Sequence, residues 1–185
     1  MQKNKNYIMK LCLSAIMSAI YVGLDYLAVT VSAPFGGNLK IALNGLPVII
    51  IAAFFGPLWA AATGFVGAFI GQMITYGFSA TTLLWVLPAV IRGLSVGFMF
   101  KVFKNSFKLS HVITITSISS VIVTVFNTFA MLVEQKIYGY YNSYLAIFVA
   151  IPTRLITGIL TAVVMSLMLP TIIDSLKNIV NKYTK

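Results

Sequence analysis

The most chemically consequential side chains in this sequence are two arginines in apolar surroundings. Arg92 sits in VLPAVIRGLSV and Arg154 in VAIPTRLITGI, each a turn or so after a proline, Pro88 and Pro152. An ionised arginine at the centre of a membrane helix costs roughly 2.5–3.5 kcal/mol on insertion scales, so it faces a bundle interior or a water-filled cavity. A guanidinium matches a carboxylate bidentately. The two arginines therefore point to a cavity that holds an anionic or carboxylate-bearing solute, the other reading being an internal pair with Asp25 or a capped carbonyl.

The remaining candidates are polar or aromatic. Asn127, in VTVFNT, carries an amide that both donates and accepts, which suits a heterocycle edge in a cavity or a hydrogen bond between membrane helices. Gln72 and Asn44 share that ambiguity. Asp25 needs a partner such as Arg154, Arg92 or Lys40. Trp85, Tyr138, Tyr140, Tyr141, Tyr144 and Phe35 gather toward one face, as an aromatic belt or as stacking surfaces. The candidate substrate-binding set is thus Asn127, Arg154, Arg92, Trp85, Lys40, Asn44 and Tyr141. Catalysis is not expected: one histidine, His111, one cysteine, Cys12, and three scattered acids supply neither a metal cluster, an internal disulfide nor a nucleophile–base pair. No cofactor or metal is implied.

The elements that would position these residues follow from composition. Of 185 residues, 59% are hydrophobic and 9% charged, too few charges to cover a water-facing surface. The chain reads as an all-α integral membrane protein of one domain over 1–185, with spans near 8–29, 41–55, 58–76, 82–100, 109–133 and 144–169. The first is taken as a span and not a cleaved signal, since no small-residue cleavage site precedes a soluble domain. Pro47 and the Gly56-Pro57 pair predict a short, kinked second span that turns tightly into the third. With six spans and the N-terminus inside, nine lysines fall on the cytoplasmic side, in clusters at 3–10, 101–108 and 177–185, and only Lys40 and Lys136 fall outside. The +10 net charge is explained by that sorting, without nucleic acid. Outer connections are expected at 30–40, 77–81 and 134–143, two of them rich in glycine and aromatic or polar residues, as a lid or binding loop would be.

Small residues recur every fourth position, as in Ser14/Ser18, Ala15/Ala19, Ala60/Gly64, Gly67/Gly71 and Gly93/Gly97, and such faces let helices approach closely. Taken together, six apolar helices, Ala15-x-x-x-Ala19, the run NLKIALNGLP at 38–47, then Phe55-Gly56-Pro57 and a glycine-rich third helix resemble the substrate-binding S component of energy-coupling factor (ECF) vitamin transporters. The stretch from the outer loop to Gly-Pro, with Asn127-Thr128, looks most like the folate-type branch. The resemblance implies a subunit of the bacterial cytoplasmic membrane, without ATPase activity, that captures a vitamin from outside, folate being one such ligand. It implies partnership with a membrane-embedded T subunit, through Ala15 and Ala19, and with two ATPase subunits, and makes loop 31–40 the gate over the ligand. The absence of a Walker-type phosphate loop agrees with energy supplied by a partner. A small self-sufficient secondary transporter is the alternative, and would need its own coupling site, for which Asp25 is the candidate.

Overall fold

The computed structural model describes residues 2–32, 38–41, 43–104, 106–141 and 143–184, with side chains described for 6–28, 43–104, 106–141 and 143–177. In chain order the elements are α1 (Gln2–Tyr26), β1 (Val29–Ser32), β2 (Asn38–Ile41), α2 (Gly45–Phe55), α3 (Pro57–Tyr76), α4 (Thr82–Val102), α5 (Leu109–Tyr138), α6 (Tyr144–Val149) and α7 (Ile151–Thr184). Five segments are long and apolar enough to cross a membrane: 6–26, 57–76, 82–102, 109–138 and the joined 144–177. Many large apolar side chains on them stay exposed, among them Leu58, Ile74, Val125, Leu145 and Leu167, which is the surface a lipid phase would cover.

α2 completes the bundle differently. Its sequence, GLPVIIIAAFF, is apolar on every side, and such a helix is buried. Gly45 through Ala52 are all buried, and Val48, Ile49 and Ile51 form the core with Val96 and Phe100 of α4, Ile115 of α5 and Leu169 and Ile173 of α7. With eleven residues α2 rises only about 16 Å, half a bilayer core. At its end Gly56 takes φ 84°, a backbone state that glycine adopts without strain, and Pro57 starts α3, so the turn at 56–57 is as short as the sequence suggests.

The glycine ladders are mostly internal seams. A Cβ on Gly93 would lie 2.5 Å from the Ala60 carbonyl carbon, one on Gly64 2.6 Å from the Ala89 oxygen, and one on Gly97 would strike Pro57. α3 and α4 therefore touch backbone to backbone. On α1, Ser18 Oγ donates to the Ser14 and Thr63 carbonyls, and the Tyr21 ring covers Gly67, so this side of the helix is fixed to α3. Ala15 and Ala19 face away and are exposed.

Several boundaries differ from the expected ones. α1 stops at Tyr26, not at 29, because Val29 to Ser32 enter an antiparallel hairpin with β2, in register Val29↔Ile41, Thr30↔Lys40, Val31↔Leu39 and Ser32↔Asn38. That pairing matches apolar with apolar and polar with polar, the alternation a strand needs. The expected loop 30–40 is thus partly a hairpin; its tip, 33–37, including Phe35, and the Lys40 side chain lie outside the described residues. The second segment correspondingly begins at Gly45, not 41. α5 runs to Tyr138 and ends on Gly139 at φ 66°, which reduces the expected connection 134–143 to five residues and makes Glu134 helical. The sixth segment breaks at Ala150 into α6 and α7, with Pro152 at the second position of α7, where a missing N–H costs nothing. α7 then continues well past 169.

Candidate functional site

α1, α3, α4, α5 and α7 surround a chamber of about 860 Å³. Its wall follows helical periodicity: Ser120, Thr124, Asn127, Met131, Glu134 and Tyr138 of α5 recur at intervals of three or four residues and so share one face. Arg154, Thr157, Thr161 and Met165 do the same on α7. Where these two helices meet, Gly158 packs against Ser120 and Thr124, and beneath them the Thr116 and Ser166 hydroxyls join at 2.6 Å.

The deep end holds Arg92, Tyr21, Asp25 and Asn44. Asn44, at the N-cap of α2, makes no capping bond; its Nδ2 donates instead to Asp25 Oδ1 at 2.8 Å, which ties the two feet of the hairpin together. Gly45 follows, and its missing side chain makes room for the Arg92 guanidinium: a Cβ there would collide with Nη1. Arg92 is placed by α4 one turn after Pro88, and both line the chamber.

At the mouth, Glu134 organises three segments. Its Oε1 accepts from Thr81 Oγ1 at 3.2 Å and from Trp85 Nε1 at 3.1 Å, and its Oε2 accepts from the Tyr141 hydroxyl at 3.0 Å. The Tyr141 backbone N–H donates to Gln135 Oε1 at 2.7 Å. Burial, reinforced by the bond to Glu134 and partly opposed by Arg154, pushes the Tyr141 hydroxyl up to about 12, so it stays a neutral donor. Tyr138 stacks on Tyr140 and accepts the Ala80 N–H through its hydroxyl, closing the rim. Arg154, in the first turn of α7, has its Nη1 buried with no hydrogen-bond partner. A cation there also faces the unfavourable end of the helix dipole. Among the described residues the ion pair is Lys177–Asp174, far from the chamber, and neither arginine has one.

Asn127, Arg154, Arg92, Trp85, Asn44 and Tyr141 all line this one chamber, as do Gln72 and Asp25. Asp25 Oδ1 accepts from Asn44, and among the described residues Asp25 forms no ion pair with either arginine. Glu134, Thr81 and Tyr21 escaped the sequence reading. Glu134 falls in the expected connection 134–143, yet continuing the spacing Ser120, Thr124, Asn127 by three and four residues reaches Met131, Glu134 and Tyr138, the periodic signal that marks it.

A family model for the substrate-specific component of ECF transporters matches residues 9–169, and the chain belongs to that family. A solved structure described as the S component of a bacterial ECF transporter shares the fold, with a TM-score of 0.60 and 20% sequence identity, covering 92% of this chain and 99% of that one. Among curated proteins no sequence matches. The protein is thus the substrate-binding component of a transporter, a multi-pass membrane protein.

Proposed function

We propose that the chain captures a carboxylate-bearing vitamin or related micronutrient in the chamber, holding its anionic part with Arg92 and Arg154. The observation that carries this reading is the pair of guanidiniums lining one chamber, with no ion pair to any described residue, while both acids of the chamber accept protein hydrogen bonds. A volume of about 860 Å³ suits a ligand of vitamin size. Asn127 and Gln72 offer amide groups to a heterocycle, and Trp85 and Tyr141 offer rings to its face. Folate is the first ligand to test, on the likeness of residues 38–57 and Asn127-Thr128 to the folate-type branch. Lys40 belongs to the same proposal through its strand, which leads into Asn44.

The basic end, where Lys10, Lys101 and Lys177 rest over Phe55, Phe98 and Phe107, faces the cytoplasm of a bacterial cell in this reading. The exposed Ala15 and Ala19 on α1 receive a T subunit, and two ATPase subunits supply the energy, so the chain itself performs no catalysis. Native mass spectrometry of the detergent-purified protein tests the capture role. A stoichiometric, vitamin-sized anion is expected; a clean apo mass together with no binding of folate, biotin or pantothenate refutes it.

A further inference from the structure

A carboxylate and a guanidinium that share a low-dielectric chamber attract each other strongly and ordinarily form a bidentate pair. Glu134 and Arg154 both line this chamber and do not pair within ion-pair range. The structure shows what occupies Glu134 instead. Three neutral donors, one each from the 77–81 connection, α4 and the 139–143 connection, hold its two oxygens, and the one on Oε2 is the Tyr141 hydroxyl. Tyr141 is anchored independently, because its backbone N–H is bonded to Gln135, the residue after Glu134 on the last turns of α5. Its hydroxyl also lies within electrostatic reach of Arg154. The guanidinium meanwhile keeps a buried Nη1 without any partner.

We infer that Tyr141 is a positioning residue: by occupying Glu134 Oε2 it prevents an internal Glu134–Arg154 pair and so keeps the Arg154 guanidinium available to the ligand's anionic group. This rests on the reading of Arg154 as an anion-binding residue and adds to it the device that makes the site selective. Without the hydroxyl, Glu134 competes with the solute for Arg154, and the chamber loses its preference for anions. The proposal also explains why an acid stands in an anion-binding chamber at all. Held by three donors, Glu134 fixes the mouth without spending the arginine.

The experiment compares four full-length proteins in detergent: wild type, Arg154→Ala, Tyr141→Phe and Tyr141→Phe/Glu134→Gln. The probe is the tightest-binding member of a panel of folate, biotin and pantothenate, with thermal midpoints recorded alongside. Arg154→Ala and Tyr141→Phe are each expected to weaken binding about tenfold or more. The double variant, which removes the competing charge, is expected to return to within about threefold of wild type, a non-additivity that a purely structural role for Tyr141 would not produce. Tyr141→Phe binding like wild type, or a double variant as weak as the single one, overturns the inference while a weak Arg154→Ala still upholds the anion site. Arg154→Ala binding like wild type, or wild type binding none of the panel, overturns the anion-site reading itself and the inference with it. Should Tyr141→Phe fold poorly, the double variant against Arg154→Ala still decides, because the inference requires it to bind more tightly than Arg154→Ala.

Discussion

Gly45→Ala is the substitution that separates the deep arginine's role from the integrity of the fold. The added methyl would collide with Arg92 Nη1 and come within 3.1 Å of Arg92 Cζ and 3.2 Å of Met165 Sδ, where non-bonded carbon contacts settle at about 3.5–4.0 Å. All of these neighbours are ends of flexible side chains, so the backbone stays and the guanidinium yields, by about 1 Å or more. Stability then changes little: alanine at a helix position gains up to about 1 kcal/mol over glycine, which offsets the local crowding. For a chain of this size 1 kcal/mol moves the melting temperature by about 2–4 °C, so the midpoint is expected to remain within that range. Binding changes far more. A hydrogen bond to a charged group contributes about 1.5–3 kcal/mol, and each 1.4 kcal/mol is tenfold, so displacing the guanidinium from a ligand carboxylate weakens binding by roughly ten- to 150-fold. Isothermal titration calorimetry in detergent, with scanning fluorimetry on the same samples, reads both quantities. An affinity within twofold of wild type at an unchanged midpoint would show that Arg92 does not hold the ligand. A variant that fails to fold would refute the argument that the side-chain ends give way.

Two further outcomes follow from the packing. Gly93→Ala places a methyl 2.5 Å from the Ala60 carbonyl carbon, and because that neighbour is backbone the seam must open; overpacking of this kind costs about 1–3 kcal/mol, and a drop of roughly 3–10 °C in the thermal midpoint is expected. An unchanged midpoint would mean that α3 and α4 are not held at that distance. Ala19→Arg, on the exposed face of α1, is expected to abolish co-purification with T and ATPase subunits and transport in vesicles while the folded variant binds ligand within twofold of wild type. Lost ligand affinity in that variant would remove Ala19 from the docking surface.

What could be read from the residues depended on how local the cause was. The turn at Gly56-Pro57 was legible because two adjacent residues fix it, and the long spans because length and apolarity alone define them. The arginines stood out for the same reason: a charge amid apolar residues is costly wherever the chain folds. The hairpin was not legible, since a four-residue strand such as VTVS carries little periodic signal and its pairing with NLKI crosses a loop. Nor was the reach of α5. Polar residues such as Glu134, Gln135 and Lys136 look like a loop until their neighbours are known, and here the donors from Thr81, Trp85 and Tyr141 make a helical carboxylate acceptable. The break at Ala150 was hidden in an apolar run, although Pro152 marked a helix start as readily as a kink. Tyr21 was missed because its partner surface is the empty space above Gly67, which only the packed helices create.

The two helix seams that border the chamber differ in what they leave free to change. Between α3 and α4 the contacting atoms are main-chain carbonyls, amides and a proline ring, with no rotamer available to absorb a shift. Those two helices therefore form one close-packed slab that bears Gln72, Trp85 and Arg92. Between α5 and α7 the contacts include hydroxyls, Thr116 with Ser166 and Thr124 beside Gly158, and a hydroxyl that already bonds to its own helix carbonyl can drop its neighbour without being left unsatisfied. The wall bearing Asn127 and Arg154 is thus joined by exchangeable contacts and faces a close-packed one, so the two arginines that meet the ligand's charge stand on unlike walls, Arg92 on the seam with no slack and Arg154 on the one whose bonds can be re-made.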